Sequence, residues 1–151
     1  NKAKRKEVAG ILKEISDSVK SKYPDGHIII MGDLNDEPED ESISDILGAM
    51  PYICESEGLI NLMAPEYKAG RGSYNYQGDW AMLDHLIVSG NMLDEEGLYC
   101  KESQGYIFRR NWMEYTKENG EKIPDRTYGG RNYYGGISDH FPVFFRMQWK
   151  N

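Results

Sequence analysis

The run Ile28-Ile29-Ile30-Met31, closed by Gly32-Asp33-Leu34-Asn35, constrains the fold more than any other stretch of the chain. Four consecutive apolar residues, with β-branched ones leading, predict a strand buried on both faces. Gly32 ends the run, and Asp33 and Asn35 follow where strand gives way to loop. In open α/β sheets, sites form at the carboxyl ends of strands. A carboxylate and an amide two residues apart can orient a water or bind a metal, and can hydrogen-bond a phosphoryl oxygen. An isolated Asp-x-Asn is more often a helix cap, since such caps are among the commonest helix starts, so this stretch needs support from elsewhere.

A chain of 151 residues is the size of one domain. Hydrophobic residues at 39% and charged residues at 28% are ordinary for a soluble protein. The net charge of −7 argues against a broad basic footprint for duplex DNA. No stretch approaches the length of a transmembrane span. Cys54 and Cys100 lack metal-ligand spacing and are open to being either reduced core residues or a disulfide. The chain opens on Asn1 and not on Met, which leaves localisation open between cytoplasmic and secreted.

Residues 2–22 predict an amphipathic helix. Val8, Ile11, Leu12, Ile15 and Val19 form its apolar stripe, and the Lys4-Arg5-Lys6 run reads as part of the solvated face. Tyr23-Pro24-Asp25-Gly26 is turn chemistry. The acidic run 36–41 reads as a loop and cap leading into a short helix over 42–50. Residues 59–62 are a candidate strand, and 64–72 a loop. Further on, 106–108 reads as a strand, 111–118 as a short helix and 127–136 as a long surface loop. Arg109, Arg110, Arg126 and Arg131 are candidates for phosphate contact, or else surface ion-pair residues. His27 fits no motif.

Two later stretches strengthen the first. Residues 72–89 contain Tyr74 and Tyr76 alternating with polar residues, a Gly78-Asp79 turn, and a second strand over 82–89 that carries Asp84 inside it. A strand aspartate among apolar neighbours is costly to bury unpaired, so Asp84 needs a partner. His85 points to the opposite face and is the weaker candidate for chemistry. Residues 136–147 then deliver Ser138-Asp139-His140 from a loop into a closing strand that starts at Pro142. A histidine titrates near neutral pH and can serve as base or phosphate stabiliser. Tyr74 and Trp80 flank the Asp84 strand and are candidate groove residues, with core packing as the alternative.

Gly-Asp-Leu-Asn at 32–35, Leu-Asp-His at 83–85 and Ser-Asp-His at 138–140, in that order and each beside a strand, resemble the endonuclease/exonuclease/phosphatase superfamily, the deoxyribonuclease I-like enzymes. The resemblance extends over about residues 7–149. It implies an α/β (α+β) fold, namely half of a four-layer α/β/β/α sandwich with mostly antiparallel sheet and outer helices. It also implies hydrolysis of a phosphodiester or phosphomonoester by in-line attack of water, with Mg²⁺ or Mn²⁺ polarising the phosphate.

On the matching positions, the resemblance gives Asp33 the water and Asn35 the scissile phosphate. Asp84 would hold His140, and His140 would stabilise phosphoryl oxygens or transfer a proton. Asp139, with Asp33, would sit at the metal. The family's early Asn, metal-binding Glu and further His have no counterpart here. Residues 1–151 therefore look like the C-terminal half of the domain, with the N-terminal half absent and a sheet face left wanting a partner. The substrate stays open among nucleic acid, small molecule and lipid. The alternative is a non-catalytic relative that uses the fold to bind.

Overall fold

The computed structural model describes residues 1–51 and 58–150, and Cys54 lies outside them. Helix α1 spans Lys2–Lys22, within the limits its periodicity predicts, and Asn1 caps it by accepting from the Ala3 amide at 3.1 Å. A turn leads into strand β1, Ile29–Asp33. The chain continues through β2 (Ala49–Met50), β3 (Leu59–Asn61), helix α2 (Ala64–Lys68), β4 (Tyr74–Tyr76), β5 (Asp79–Ala81) and β6 (Asp84–Ser89).

One four-stranded sheet organises these elements, in the order β1-β6-β3-β2. Strand β6 is its centre, antiparallel to β1 and to β3, while β2 runs parallel to β3. The sheet has apolar packing on both faces. On one, Ile87 and Leu59 meet Ala9, Ile43 and Leu47, with Leu12, Ile28 and Ile30 at the margin. On the other, Leu86, Val88 and Ile60 meet Leu62, Met63, Met82, Met92 and Cys100. Cys100 is a free, buried thiol.

The second half is built of short pairs. Strand β7 (Gly97–Cys100) pairs with β14 (Met147–Lys150), and β8 (Tyr106–Ile107) with β13 (Val143–Phe144). Two hairpins follow β8, formed by β9 (Glu114–Thr116) with β10 (Lys122–Pro124) and by β11 (Tyr128–Gly129) with β12 (Asn132–Tyr133). The content is mixed α and β, with mostly antiparallel pairing.

Several expectations are corrected. Strand β1 is not buried on both faces. It lies at the sheet edge, and only the Ile28 and Ile30 side reaches the core, while Ile29 is 37% and Met31 66% exposed. The apolar stripe of α1 is displaced. The helix packs through Ala9, Leu12 and Ser16, and leaves Val8, Ile11, Ile15 and Val19 exposed. The Lys4-Arg5-Lys6 run is not simply solvated, because Arg5 pairs with Asp36 at 2.7 Å and Lys6 with Glu41. The acidic run is thus docked onto the basic first turns of α1.

The predicted helix over 42–50 is one π-type turn, Ser42–Ile46, followed by β2. Residues 64–68 are helical where a loop was expected, with a proline in the first turn, where its missing N–H costs nothing. The 111–118 helix is a 3₁₀ turn, Asn111–Met113, running into β9. The 127–136 loop is the β11/β12 hairpin, closed by the Tyr134 amide on the Thr127 carbonyl at 2.9 Å. Short segments of this kind have too little periodicity for type to be read locally.

Candidate active site

The site grows from the antiparallel register of β1 and β6, which sets Asp33 directly opposite Asp84. Opposed residues in such a pair share a face. The ladder runs one step further, with the Leu34 amide on the Leu83 carbonyl at 2.9 Å. Gly32 precedes Asp33 with φ +145°, a backbone state that side chains disfavour, so glycine is needed there to turn the strand's end. Asp33 Oδ1 accepts from the Asn35 amide at 2.9 Å, and Asn35 itself has φ +55°, which asparagine tolerates better than most residues. This turn presents Asp33 and Asn35 together at the surface.

Asp84 finds the partner its position demands. His140 Nδ1 lies 2.6 Å from Asp84 Oδ2, and the Ser73 hydroxyl donates to the same oxygen at 2.5 Å. An ionised carboxylate only accepts, so Nδ1 carries the proton and Nε2 is the nitrogen that Asp84 leaves free. Ser73 is fully buried and reaches Asp84 because the neighbouring Gly72 lies against the Ala81 backbone, where a Cβ would collide. The closing loop is tied in by the Phe141 amide on the Ser73 carbonyl at 2.8 Å and the His140 amide on Ser138 Oγ at 3.1 Å.

The electrostatics follow from this packing. Burial works against the Asp84 carboxylate, but the hydrogen bonds from His140 and Ser73 outweigh it and hold its pKa below the usual value. The bond to Asp84 raises the pKa of His140 against its burial, and the charges of Asp84, Asp33 and Asp139 add to the effect. Asp33 and Asp139 therefore both lie close enough to His140 to be felt by it.

Tyr74 and Trp80 are separated by the β4/β5 hairpin. Trp80 faces the same side as Asn75, its partner in register, and Tyr74 the other. Tyr74 lays its ring 4.7 Å from that of His140, while Trp80 stacks on Phe141 at 6.0 Å under the Arg109 guanidinium. Trp80 borders a separate cavity of about 340 Å³. Arg109 is engaged by Glu114 at 2.5 Å and by the Lys122 carbonyl at 3.0 Å, so it props the β9/β10 hairpin. Arg110 lies over Phe108.

His85 points away from the site, as alternation requires, and is fully buried. Its Nε2 faces the Asp36 carbonyl at 2.8 Å, and its Nδ1 faces Asn61 Nδ2 at 2.9 Å. A carbonyl only accepts, so Nε2 carries the proton and Nδ1 accepts from Asn61. Burial depresses its pKa and keeps the ring neutral. Asp36 in turn takes Ser42 Oγ at 2.5 Å and Arg5 at 2.7 Å. The residue after Asn35 is thus anchored by α1, by β6 and by the turn that starts at Ser42. Sequence reasoning missed Ser73, Asp36 and this role of His85, because their partners lie far along the chain.

A family model described as the Endonuclease/Exonuclease/phosphatase family matches residues 1–149. The chain belongs to that family. No curated protein and no solved structure matches it. Endonuclease/exonuclease/phosphatase proteins are in general hydrolases acting on phosphate esters, and they generally use divalent metals. Among the described residues, no group of three or more His, Cys, Asp or Glu side chains is arranged to hold a metal ion. Asp33 and Asp139 are hard oxygen donors of the right kind, but the pair alone does not make up a metal site. No helix among the described residues is long and apolar enough to cross a membrane.

Proposed function

We propose that this chain is the C-terminal half of a metal-dependent phosphoesterase that hydrolyses a phosphodiester or phosphomonoester by in-line attack of water. The observation that carries the proposal is the Ser73–Asp84–His140 hydrogen-bonded chain placed across the β1/β6 ladder from Asp33. Asp33 orients or deprotonates the water. Asn35 donates to the scissile phosphate from the same turn. Asp84 fixes the ring of His140, whose elevated pKa favours the charged form that stabilises phosphoryl oxygens or gives up a proton. Tyr74 packs on the His140 ring and borders the phosphate position, while Trp80, on the other side of the hairpin, lines a separate cavity. Mg²⁺ or Mn²⁺ would supply phosphate polarisation when bound; Asp33 and Asp139 would be this chain's share of its ligands, and the N-terminal half would supply a further carboxylate.

The exposed row Ile29, Met31 and Asp33 supports that missing half. All three lie on one face of an edge strand, and β1 has an unpaired side. The exposed stripe of α1, Val8, Ile11, Ile15 and Val19, lies on the other side of the sheet and is not part of that row. The N-terminal half covers the Ile29–Met31 row and completes the sandwich, the second pair of layers in an α/β/β/α arrangement.

The test compares residues 1–151 with the two-half protein on generic phosphodiester and phosphomonoester substrates in Mg²⁺ or Mn²⁺. The isolated chain should show negligible hydrolysis and no tight Mg²⁺ binding, and the two-half protein should be active. In the latter, Asp33→Ala and His140→Ala should each lower kcat by about a hundredfold or more. Full activity in residues 1–151 alone would remove the argument for a missing half. A two-half protein inactive on a broad panel would favour the binding-module alternative.

A further inference from the structure

Asn35 carries a costly backbone at the site. Asparagine adopts a φ of +55° as a single residue, and it stays there only where the surroundings leave no alternative. Asp33 holds it on one side, with Oδ1 accepting from the Asn35 amide at 2.9 Å. Asp36 holds it on the other. The Asp36 carboxylate meets Arg5 at 2.7 Å and takes the Ser42 hydroxyl at 2.5 Å. The Asp36 carbonyl accepts from His85 Nε2 at 2.8 Å. Asp36, Ser42 and His85 are all buried. With Asp36 fixed at three points, the turn at Asn35 is closed from both ends.

Helix α1 supplies the cation. Lys2, Arg5 and Lys6 are spaced by three and four residues and share one face of its first turns. They meet Asp40, Asp36 and Glu41 in turn. The three pairs are not equal. The Lys2 and Asp40 side chains are 75% and 34% exposed, and those of Lys6 and Glu41 are 39% and 57% exposed. Ion pairs so open to water contribute little. The Asp36 side chain is only 6% exposed, and a carboxylate so far from water is left uncompensated when its cation is removed. Arg5, Asp33, Leu34 and Ser42 also share the lining of a cavity of about 220 Å³. The turn therefore has space to shift into once the pair is broken.

We infer that Arg5 is a positioning residue, which through Asp36 keeps Asn35 in its left-handed conformation and its side-chain amide aimed at the phosphate. The aim at a phosphate rests on the phosphoesterase reading, while the hold on Asn35 rests on the packing alone. Arg5 touches no reacting atom. It acts on the placement of a donor, and a misplacement of about 1 Å costs on the order of a hundredfold in rate. Its effect therefore falls on kcat and not on KM. Lys2 and Lys6, on the same face of α1, carry no such role.

The experiment compares Arg5→Gln and Arg5→Lys with Lys2→Gln and Lys6→Gln. Glutamine and lysine both suit a helix, so α1 persists in all four. In residues 1–151, NMR reads the strong cross-peak between the Asn35 amide and its own α proton, which marks a positive φ. Arg5→Gln should lose it, Arg5→Lys should retain most of it, and the two lysine variants should leave it unchanged. In the two-half protein, Arg5→Gln should lower kcat by about tenfold or more with KM nearly unchanged. Arg5→Lys should recover most of that loss, and Lys2→Gln and Lys6→Gln should have no effect. An unchanged cross-peak in Arg5→Gln overturns the inference. So does an equal loss in either lysine variant, or a change confined to KM. Full kcat with the cross-peak lost also overturns it, since Asn35 would then not need its hold. A two-half protein that hydrolyses nothing in any form sinks the enzymatic reading, and the cross-peak still decides whether Arg5 holds Asn35.

Discussion

Asp84 and His140 stand 56 residues apart in the chain and meet at 2.6 Å, with Nδ1 of the imidazole on Oδ2 of the carboxylate. The pair sits half-buried, so its charges are screened less than those of a surface ion pair. The bond raises the pKa of His140, while Asp84, despite its burial, is held below the usual carboxylate value.

The first expected outcome is a pH window. A raised imidazole pKa stabilises the fold fully below the ordinary value of 6.5 and loses its contribution as pH rises through the folded value. A lowered carboxylate pKa contributes above the ordinary value of 3.8 and fails as pH falls through the folded value. The pair should therefore stabilise most between those ordinary values. Proton NMR should find His140 titrating above 6.5, and Asp84→Asn should bring it down. A His140 pKa at or below 6.5 in the unsubstituted chain contradicts the assignment.

Ser73 acts through Asp84. Ser73→Ala should leave a buried carboxylate oxygen one donor short, at a cost of about 1–3 kcal/mol in denaturant unfolding. It should also raise the pKa of Asp84, while Ser73→Thr preserves the bond. If Ser73→Ala unfolds at the same denaturant concentration as the parent sequence, the hydroxyl is a bystander.

His85 should behave as a core residue. The fold keeps it neutral, so below pH 6.5 the unfolded chain takes up a proton that the folded one refuses, and stability should fall as pH drops. His85→Ala strips Asn61 and the Asp36 carbonyl of a partner and opens a cavity. A loss of about 2–4 kcal/mol is expected, measured by thermal or urea unfolding. A variant of unchanged stability would show that the Asp36 loop is held by Arg5 and Ser42 alone.

The row on β1 gives opposite expectations in two settings. Met31→Asp should shift the stability of residues 1–151 by no more than about 0.5 kcal/mol, since the side chain is 66% exposed. In the two-half protein the same change buries a carboxylate without a partner and should impair folding or association, read by soluble yield and unfolding midpoint. An equal, small effect in both settings would mean that nothing covers this face.

The sequence by itself determined what depends on neighbours within a few residues. Helix α1 follows from its 3.6-residue period, and a turn between β4 and β5 from Gly78, although the turn is Gln77-Gly78 and Asp79 already opens β5. The strands that carry Asp33 and Asp84 follow from their apolar runs. The three motifs were legible because each is a short string beside such a strand, and the need of Asp84 for a partner followed from the cost of burying it unpaired. What the tertiary structure decided was which surface each element hides. A run of four apolar residues looks the same in a central strand and at a sheet edge, so the exposure of Ile29 and Met31 is a fact about β6 and α1, not about β1. The stripe of α1 was displaced because Ala9, Leu12 and Ser16 let the helix approach the sheet, while larger residues one step round were left outside. The links of Arg5 to Asp36, Ser73 to Asp84 and Asn61 through His85 to the Asp36 carbonyl join elements distant in sequence. A polar residue alone shows that a partner is needed, and only the packed fold selects which one.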